Sequence, residues 1–293
     1  GVIVCNDTPG FLGNRVGVYA MQVAMTEAFK MKLSIEEADA VFGRPMGIPK
    51  TGIFGLYDLI GIDLMADVLK SFIKELPKDD LFHEVAQENP LITKLINEGY
   101  TGRKGKGGFY RINKQSEKKV LEAINLESGE YSTAKKIDLG IDDQVNIKNL
   151  ISRNDKYGEY AWSVLSKIIL YASSLIPDVT NKHNNIDEAI RLGFNWANGP
   201  FEILKAINVK FFAEKDQNIK LSKFINKLYL EEKDISGWYG RKQLYLDTNL
   251  HTFRRLAQNS YIRNFPENKS AKIIDTLLKY NMVEFTTKAN TLD

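Results

Sequence analysis

Few side chains in this sequence stand where they can do chemistry. The histidines His83, His183 and His251 share no i, i+4 spacing, and none sits in a motif with a carboxylate. Each would need a partner supplied by the fold to act as a base. With Cys5 as the one cysteine, a Cys/His zinc cluster is excluded, and no metal ligand is expected. The run Asp7-Thr8-Pro9-Gly10-Phe11-Leu12-Gly13-Asn14-Arg15 is more informative. Thr8 suits a helix N-cap and Pro9 the first helical position, which puts Asn14 in the second turn. A helix N-terminus at residues 8–11 offers favourable potential to developing negative charge. The Asn14 amide donates and accepts, so it can hold a polar ligand or bond back to the preceding backbone. Arg15 can pair with an acid across a domain boundary, and Asp7 reads as a local cap. Asp58 suits a turn in which a carboxylate accepts backbone N–H groups.

A second group is basic. Residues 99–119 hold Arg103, Lys104, Lys106, Arg111, Lys114, Lys118 and Lys119 against Glu117 alone. Such a run can attract phosphates. It is nearly all lysine and has no placed anion site, which favours a solvated hairpin with protective lysines on its edge. Its glycines, Gly102 to Gly108, precede Phe109 and Tyr110 rather than a helix, so they do not form a dinucleotide fingerprint. They also miss the P-loop spacing.

Helical and strand patterns must position these groups. Residues 2–5 read as a short apolar strand. Leu12, Val16, Tyr19, Val23 and Ala28 form one apolar stripe, and Val18, Met21, Met25 and Phe29 a second, which predicts a buried central helix. Gly13 and Gly17 allow another backbone to approach. Helical patterns continue over 35–42, 64–76 and 91–97. Residues 109–112, 120–126 and Tyr131 predict a small antiparallel β unit. Residues 132–155 read as a polar connection. A further helix begins near Tyr157, with Trp162, Leu165, Ile168, Ile169 and Ala172 in register. A weak repeat links the two halves. Phe54, Leu56, Leu59 and Ile60 follow a Gly/Pro turn, as Phe201, Ile203, Ala206 and Ile207 do at an offset of 147 residues. Each set follows a helix with an early aspartate, Asp39 or Asp187. Lys205 replaces Asp58 and Asn208 replaces Gly61.

Composition bounds the rest. At 293 residues the chain suits about two domains. It is 43% hydrophobic and 26% charged, an ordinary globular composition. A net charge of +3 is too near neutral to imply nucleic acid, and Phe109, Tyr110 and Tyr131 are too few for an RNA-stacking face. A lone cysteine suits a reducing compartment. No apolar run reaches membrane-spanning length, and no basic leader precedes the apolar start, so a cytoplasmic location is expected.

Four ordered motifs carry a resemblance. Residues 7–15 match in full the D-T-P-G-F-x-x-N-R segment that joins the two domains of L-3-hydroxyacyl-CoA dehydrogenases. Gly43-Arg44-Pro45-Met46-Gly47 with Phe54 to Asp63 resembles that family's G-x-P-x-G…F-x-L-x-D-x-x-G-L-D run. Residues 102–110 resemble its G-R-K-x-G-x-G-F-Y ending. Asn185 to Asp187 with Asn198-Gly199-Pro200-Phe201-Glu202 resembles the second copy found in multifunctional β-oxidation enzymes. The insert at 48–52 also resembles the multifunctional type, and residues after about 210 match no motif.

The resemblance implies a mainly α fold: two tandem 6-phosphogluconate-dehydrogenase C-terminal-like helical domains with a small antiparallel β unit between them. The first would span 1–131, a linker 132–155, and the second, degenerate copy 156–293. It implies an NAD-dependent 3-hydroxyacyl-CoA dehydrogenase of fatty-acid β-oxidation whose NAD and catalytic His–Glu pair belong to a Rossmann domain preceding Gly1. The fragment alone would then be inactive, with no catalytic residue of its own. Asn14 matches the substrate-contacting position, and Pro45, Met46, Phe54 and Leu56 could line the acyl channel or belong to the core. Implied partners are acyl-CoA, the NAD-binding domain, an enoyl-CoA hydratase module and a second copy in a homo-oligomer. The alternative is a non-catalytic packing and oligomerisation module.

Overall fold

The computed structural model describes residues 1–113, 119–141, 146–216 and 219–230, with the backbone of 271–275 and 281–285. Two compact units divide the chain, Gly1–Asp234 and Ile235–Asp293. Within the second, Ala271–Asp275 pairs antiparallel with Asn281–Phe285. The first unit is mainly helical, as the sequence predicts.

Its centre is α1 (Leu12–Lys30), in which Val16, Ala20, Val23, Ala24 and Ala28 are fully buried. Both expected stripes are covered. The helix packs against α8 (Lys156–Ser174), α9 (His183–Phe194), α5 (Phe82–Val85) and α2 (Ile35–Val41). It starts later than expected. Gly10 and Phe11 have φ of 93° and 50°, which no α-helix accommodates, so Thr8 lies outside the helix and does not cap it. Asn14 therefore falls in the first turn.

Residues 2–5 form no strand. No sheet lies beside them among the described residues, and a lone strand has nothing to pair with. Instead the segment is tied to the second half of the chain. Asn6 N–H donates to the Val179 carbonyl at 2.9 Å, and the Asn185 amide donates to the Val4 carbonyl at 2.7 Å.

After α2, capped by a reciprocal Ser34–Glu37 box, a 3-10 turn at Arg44–Met46 leads to α3 (Phe54–Ile60) and α4 (Ile62–Glu75). Next come α5 and α6 (Pro90–Asn97). The β unit is three antiparallel strands in order β1 (Tyr110–Asn113), β2 (Val120–Ile124), β3 (Tyr131–Thr133), with Tyr110 opposite Ala123 and Ile124 opposite Tyr131. The connection over 132–155 is less polar than expected. It holds α7 (Ile147–Ile151), whose Leu150 and Ile151 are buried, and Asn146 N–H donates to the Pro45 carbonyl.

The repeat extends to the hydrogen bonds. On α2, Asp39 accepts from the N–H groups of Ile53, Phe54 and Gly55 at the start of α3. On α9, Asp187 accepts from Phe201 N–H at the start of α10 (Pro200–Ile207). Gly61 and Asn208 end α3 and α10 at positive φ, and α4 and α11 (Val209–Lys215) follow directly. α12 (Lys223–Leu230) closes the described helices. The central helices of the two halves are fastened by polar contacts. Tyr160 donates to the Ala24 carbonyl, and Glu27 takes Ser163 and Lys167 at 2.6 and 2.5 Å. Burial raises the Glu27 carboxyl, but these partners prevail and hold it below its usual value.

Gly13 and Gly17 mark where α9 approaches α1. A methyl group on Gly17 would run into the Phe194 ring, whereas one on Gly13 would meet the Ala189 carbonyl at 3.5 Å, an ordinary contact. Gly17→Ala should therefore cost about 1–3 kcal/mol from overpacking. Gly13→Ala should be neutral or stabilising by up to about 1 kcal/mol through helix propensity. Thermal unfolding of the two variants decides this, and equal melting temperatures would refute it.

Candidate functional site

The opening turn of α1 separates three neighbours. Leu12 and Arg15 are buried, while Asn14 faces solvent. No side chain caps the helix, so its positive end lies open beside Asn14. Phe11, just before the helix, is 80% exposed, and in the preceding segment Val2 and Val4 are 92% and 77% exposed. A large aromatic held at positive φ in solvent costs free energy and gains nothing from burial within this chain. Asp7 is exposed, and the helix begins five residues later, so it is not the cap of α1.

Arg15 finds its acid inside the chain rather than across a domain boundary. It forms an ion pair with Asp80, and its Nε donates to the Tyr171 hydroxyl at 2.9 Å. The Tyr171 ring stacks on Tyr19 with centroids 3.9 Å apart. The Arg15–Asp80 pair is almost wholly enclosed, with side-chain exposures of 3% and 8%.

The four apolar candidates lie elsewhere. Phe54 is fully buried with its ring 4.7 Å from Phe109. Met46 is buried, and Pro45, also buried, receives the α7 bond described above and borders the second cavity described below. Leu56 is half-buried. Asn14 is not brought together with these four in any of the cavities described next.

One cavity, of about 820 Å³, lies between α2, the start of α3 and the Gly102–Gly107 turn. Its floor is carboxylate-rich. Asp39 accepts from the three amides at the start of α3 and from the Tyr110 hydroxyl at 2.9 Å. Desolvation pushes Asp39 up to about 7 against these donors. Asp58, 4% exposed, accepts from Phe109 N–H and Tyr110 N–H at 2.8 and 2.7 Å, the turn-holding role its type suggested. Burial pushes it up to about 6. Gly102, at φ 101°, lets the turn press against the Asp58 backbone. A neighbouring cavity of about 590 Å³ includes Pro45, Arg44 and Lys136. A small apolar one of about 190 Å³ lies among Met25, Ile62, Met65, Leu69 and Ile92.

Two of the three histidines lie among the described residues. His83 lies 2.9 Å from the Pro77 carbonyl, His183 is buried between Phe201 and Phe224, and His251 lies outside the described residues. Among the described residues no cluster of His, Cys, Asp and Glu could hold a metal, and no helix is long and apolar enough to cross a membrane. Among the described residues no glycine-rich strand-to-helix turn offers a dinucleotide site. The Gly102–Gly108 cluster leads into strand β1, so its amides meet no helix dipole.

Comparison with known proteins agrees with the motifs. Residues 10–112 match the family model described as 3-hydroxyacyl-CoA dehydrogenase, C-terminal domain. A Rickettsia felis protein named "Putative fatty acid oxidation complex trifunctional enzyme" is 34% identical over 292 residues, covering 100% of this chain and 39% of that protein. A Bacillus subtilis protein named "Probable 3-hydroxyacyl-CoA dehydrogenase" is 28% identical, covering 100% of this chain and 39% of its own length. The chain thus spans about two fifths of these relatives. The crystal structure of 3-hydroxybutyryl-CoA dehydrogenase from Escherichia coli shares the fold, with a TM-score of 0.54 and 18% identity over 80% of this chain and 62% of that one. Residues 10–112 are thus similar to the C-terminal domain of 3-hydroxyacyl-CoA dehydrogenases.

Proposed function

We propose that this chain is the helical, substrate-facing region of an NAD-dependent L-3-hydroxyacyl-CoA dehydrogenase of fatty-acid β-oxidation, built as a first copy over 1–131, a linker over 132–155 and a second copy from 156. The observation that carries the reading is the intact residue 7–15 motif, folded so that Asn14 faces solvent beside an uncapped helix end and an exposed Phe11. That face suits a nucleotide-binding domain closing over it, with the Asn14 amide orienting a polar thioester substrate between the two. Leu56 offers surface to an acyl chain, and Pro45, Met46 and Phe54 support it from the interior. The cofactor and the general base belong to the other domain, so alone this chain should neither bind NADH nor turn over substrate. The second copy serves packing: its α8 covers α1 through the Glu27, Tyr160 and Tyr171 contacts.

The test adds the separately produced NAD-binding domain and follows acetoacetyl-CoA reduction by NADH. Activity should appear only with both parts, and Asn14→Ala should lower kcat/KM by about 10²-fold, the scale for losing an orienting polar contact, with an unchanged melting temperature. A stable complex that is inactive, or one indifferent to Asn14→Ala, would leave a packing and oligomerisation module instead.

A further inference from the structure

We propose that the cavity of about 190 Å³ between α1, α4 and α6 binds a small uncharged molecule, an apolar ring or short branched chain carrying one acceptor oxygen. Met25 of α1, Met65 and Leu69 of α4, and Ile92 and Ile96 of α6 give it an apolar wall. α4 packs against α6, yet Leu69, Ile92 and Ile96 stay only half-buried. Apolar surface left uncovered in this way is stabilised when a ligand takes it out of water. The thioether side chains of Met25 and Met65 adapt to ligands of differing outline. The size suits one ring, since an apolar cavity of roughly 150 Å³ suffices for benzene.

One buried polar group supplies direction. Gln22 of α1, 3% exposed, belongs to the same wall. Its Oε1 accepts from the Tyr57 hydroxyl at 3.1 Å, and Tyr57 of α3 also borders the cavity. Among the described residues the Gln22 NH₂ donates to no group of the chain. A buried donor without an acceptor is unfavourable, and a carbonyl or ether oxygen on the ligand would supply one. The charged groups of the wall are Lys70 and Glu88, one of each sign and both exposed, so neither an anion nor a cation is selected. Gln22 and Met25 lie eight and eleven residues beyond Asn14, about 12–16 Å along α1. Binding here therefore does not rest on the dehydrogenase reading.

Methyl spectra of the whole chain, isotope-labelled at its methionine methyls, test the site with cyclohexanone and toluene as probes. Cyclohexanone should shift the Met25 and Met65 signals with Kd roughly 0.1–1 mM, while Met46, outside the cavity wall, stays in place. Gln22→Leu with Tyr57→Phe removes the donor together with its partner and so strands neither. That pair should weaken cyclohexanone about 3–10-fold, the scale of one neutral hydrogen bond, and leave toluene as tight or tighter. Ala66→Phe, at a half-buried position on the wall, should fill the space and weaken both probes at least about tenfold at an unchanged melting temperature. No shift at Met25 and Met65 up to about 10 mM of either probe, or full binding in the Ala66 variant, overturns the site. Equal weakening of both probes by the Gln22 and Tyr57 changes overturns the acceptor.

Discussion

Arg15→Ala should lower the unfolding free energy by about 3–5 kcal/mol, the cost of stranding one partner of a buried ion pair. Three groups lose their donor together. Asp80, with 8% of its side chain exposed, keeps a charge that water barely reaches. The Tyr171 hydroxyl and the Pro9 carbonyl lose Nε and Nη1. Asp80 also fixes the chain before α5 by accepting from Phe82 N–H, so the damage spreads from α1 to a second element. At about 2–4 °C per kcal/mol for a unit of this size, the melting temperature should fall by roughly 10 °C. The double variant Arg15→Met, Asp80→Leu should recover most of the loss, since replacing both charges removes the stranded one. Urea denaturation of the set decides the matter. A single-variant loss below about 1 kcal/mol would show that the pair is solvated and contributes as a surface ion pair does.

This pair also shows what the sequence could and could not convey. Arg15 lies inside the most legible motif, and its need for an acid follows from its type, yet nothing in the spacing selects Asp80, 65 residues away. Local pattern places α1, α4 and α8, because their apolar residues repeat at helical period over enough length to be unambiguous. The start of α1 departs from its local pattern for a conformational reason: Thr8-Pro9 has the chemistry of a helix start, but Gly10 and Phe11 turn the chain at positive φ before the helix begins. A five-residue helix such as α7 offers too few apolar positions to show a period. The basic stretch was legible as charge, but its convergence with Lys50 and Lys135 around one cavity is a property of the fold, as is the withdrawal of Met46 and Phe54 into the interior.

Asp39→Ala is expected to be comparably damaging, and its cost should depend on pH in a particular direction. The side chain caps α3 through three amides and anchors Tyr110 of β1. Ile53 and Phe54 are fully buried, so water replaces the lost acceptor poorly at their amides. Leaving several such donors unmatched should cost about 3–5 kcal/mol near pH 5, at about 1–3 kcal/mol for each with incomplete additivity. Desolvation pushes the Asp39 carboxyl up to about 7 from an ordinary value of 3.8. Between those values the folded chain holds a proton that the unfolded chain has released, so the contribution of Asp39 to stability declines as pH rises from about 4 through 7. Asp58, pushed up to about 6, acts in the same sense. Glu27 and Glu37 act oppositely. Burial raises each, but Lys167 and Ser163 on one and Lys156, Ser34 and Tyr157 on the other hold them below their usual value, so their contribution is lost on acidification below it. Stability should therefore peak near pH 5, and the deficit of Asp39→Ala should be larger at pH 5 than at pH 8. Asp39→Asn, which keeps one acceptor oxygen but sets an NH₂ among donors, should fall between Ala and wild type and should also lack the titration. Denaturant midpoints at the two pH values separate the outcomes. A deficit that is constant with pH would mean that the amides and Tyr110 outweigh desolvation and hold Asp39 ionised throughout, leaving Asp58 as the carboxylate behind the decline above pH 5.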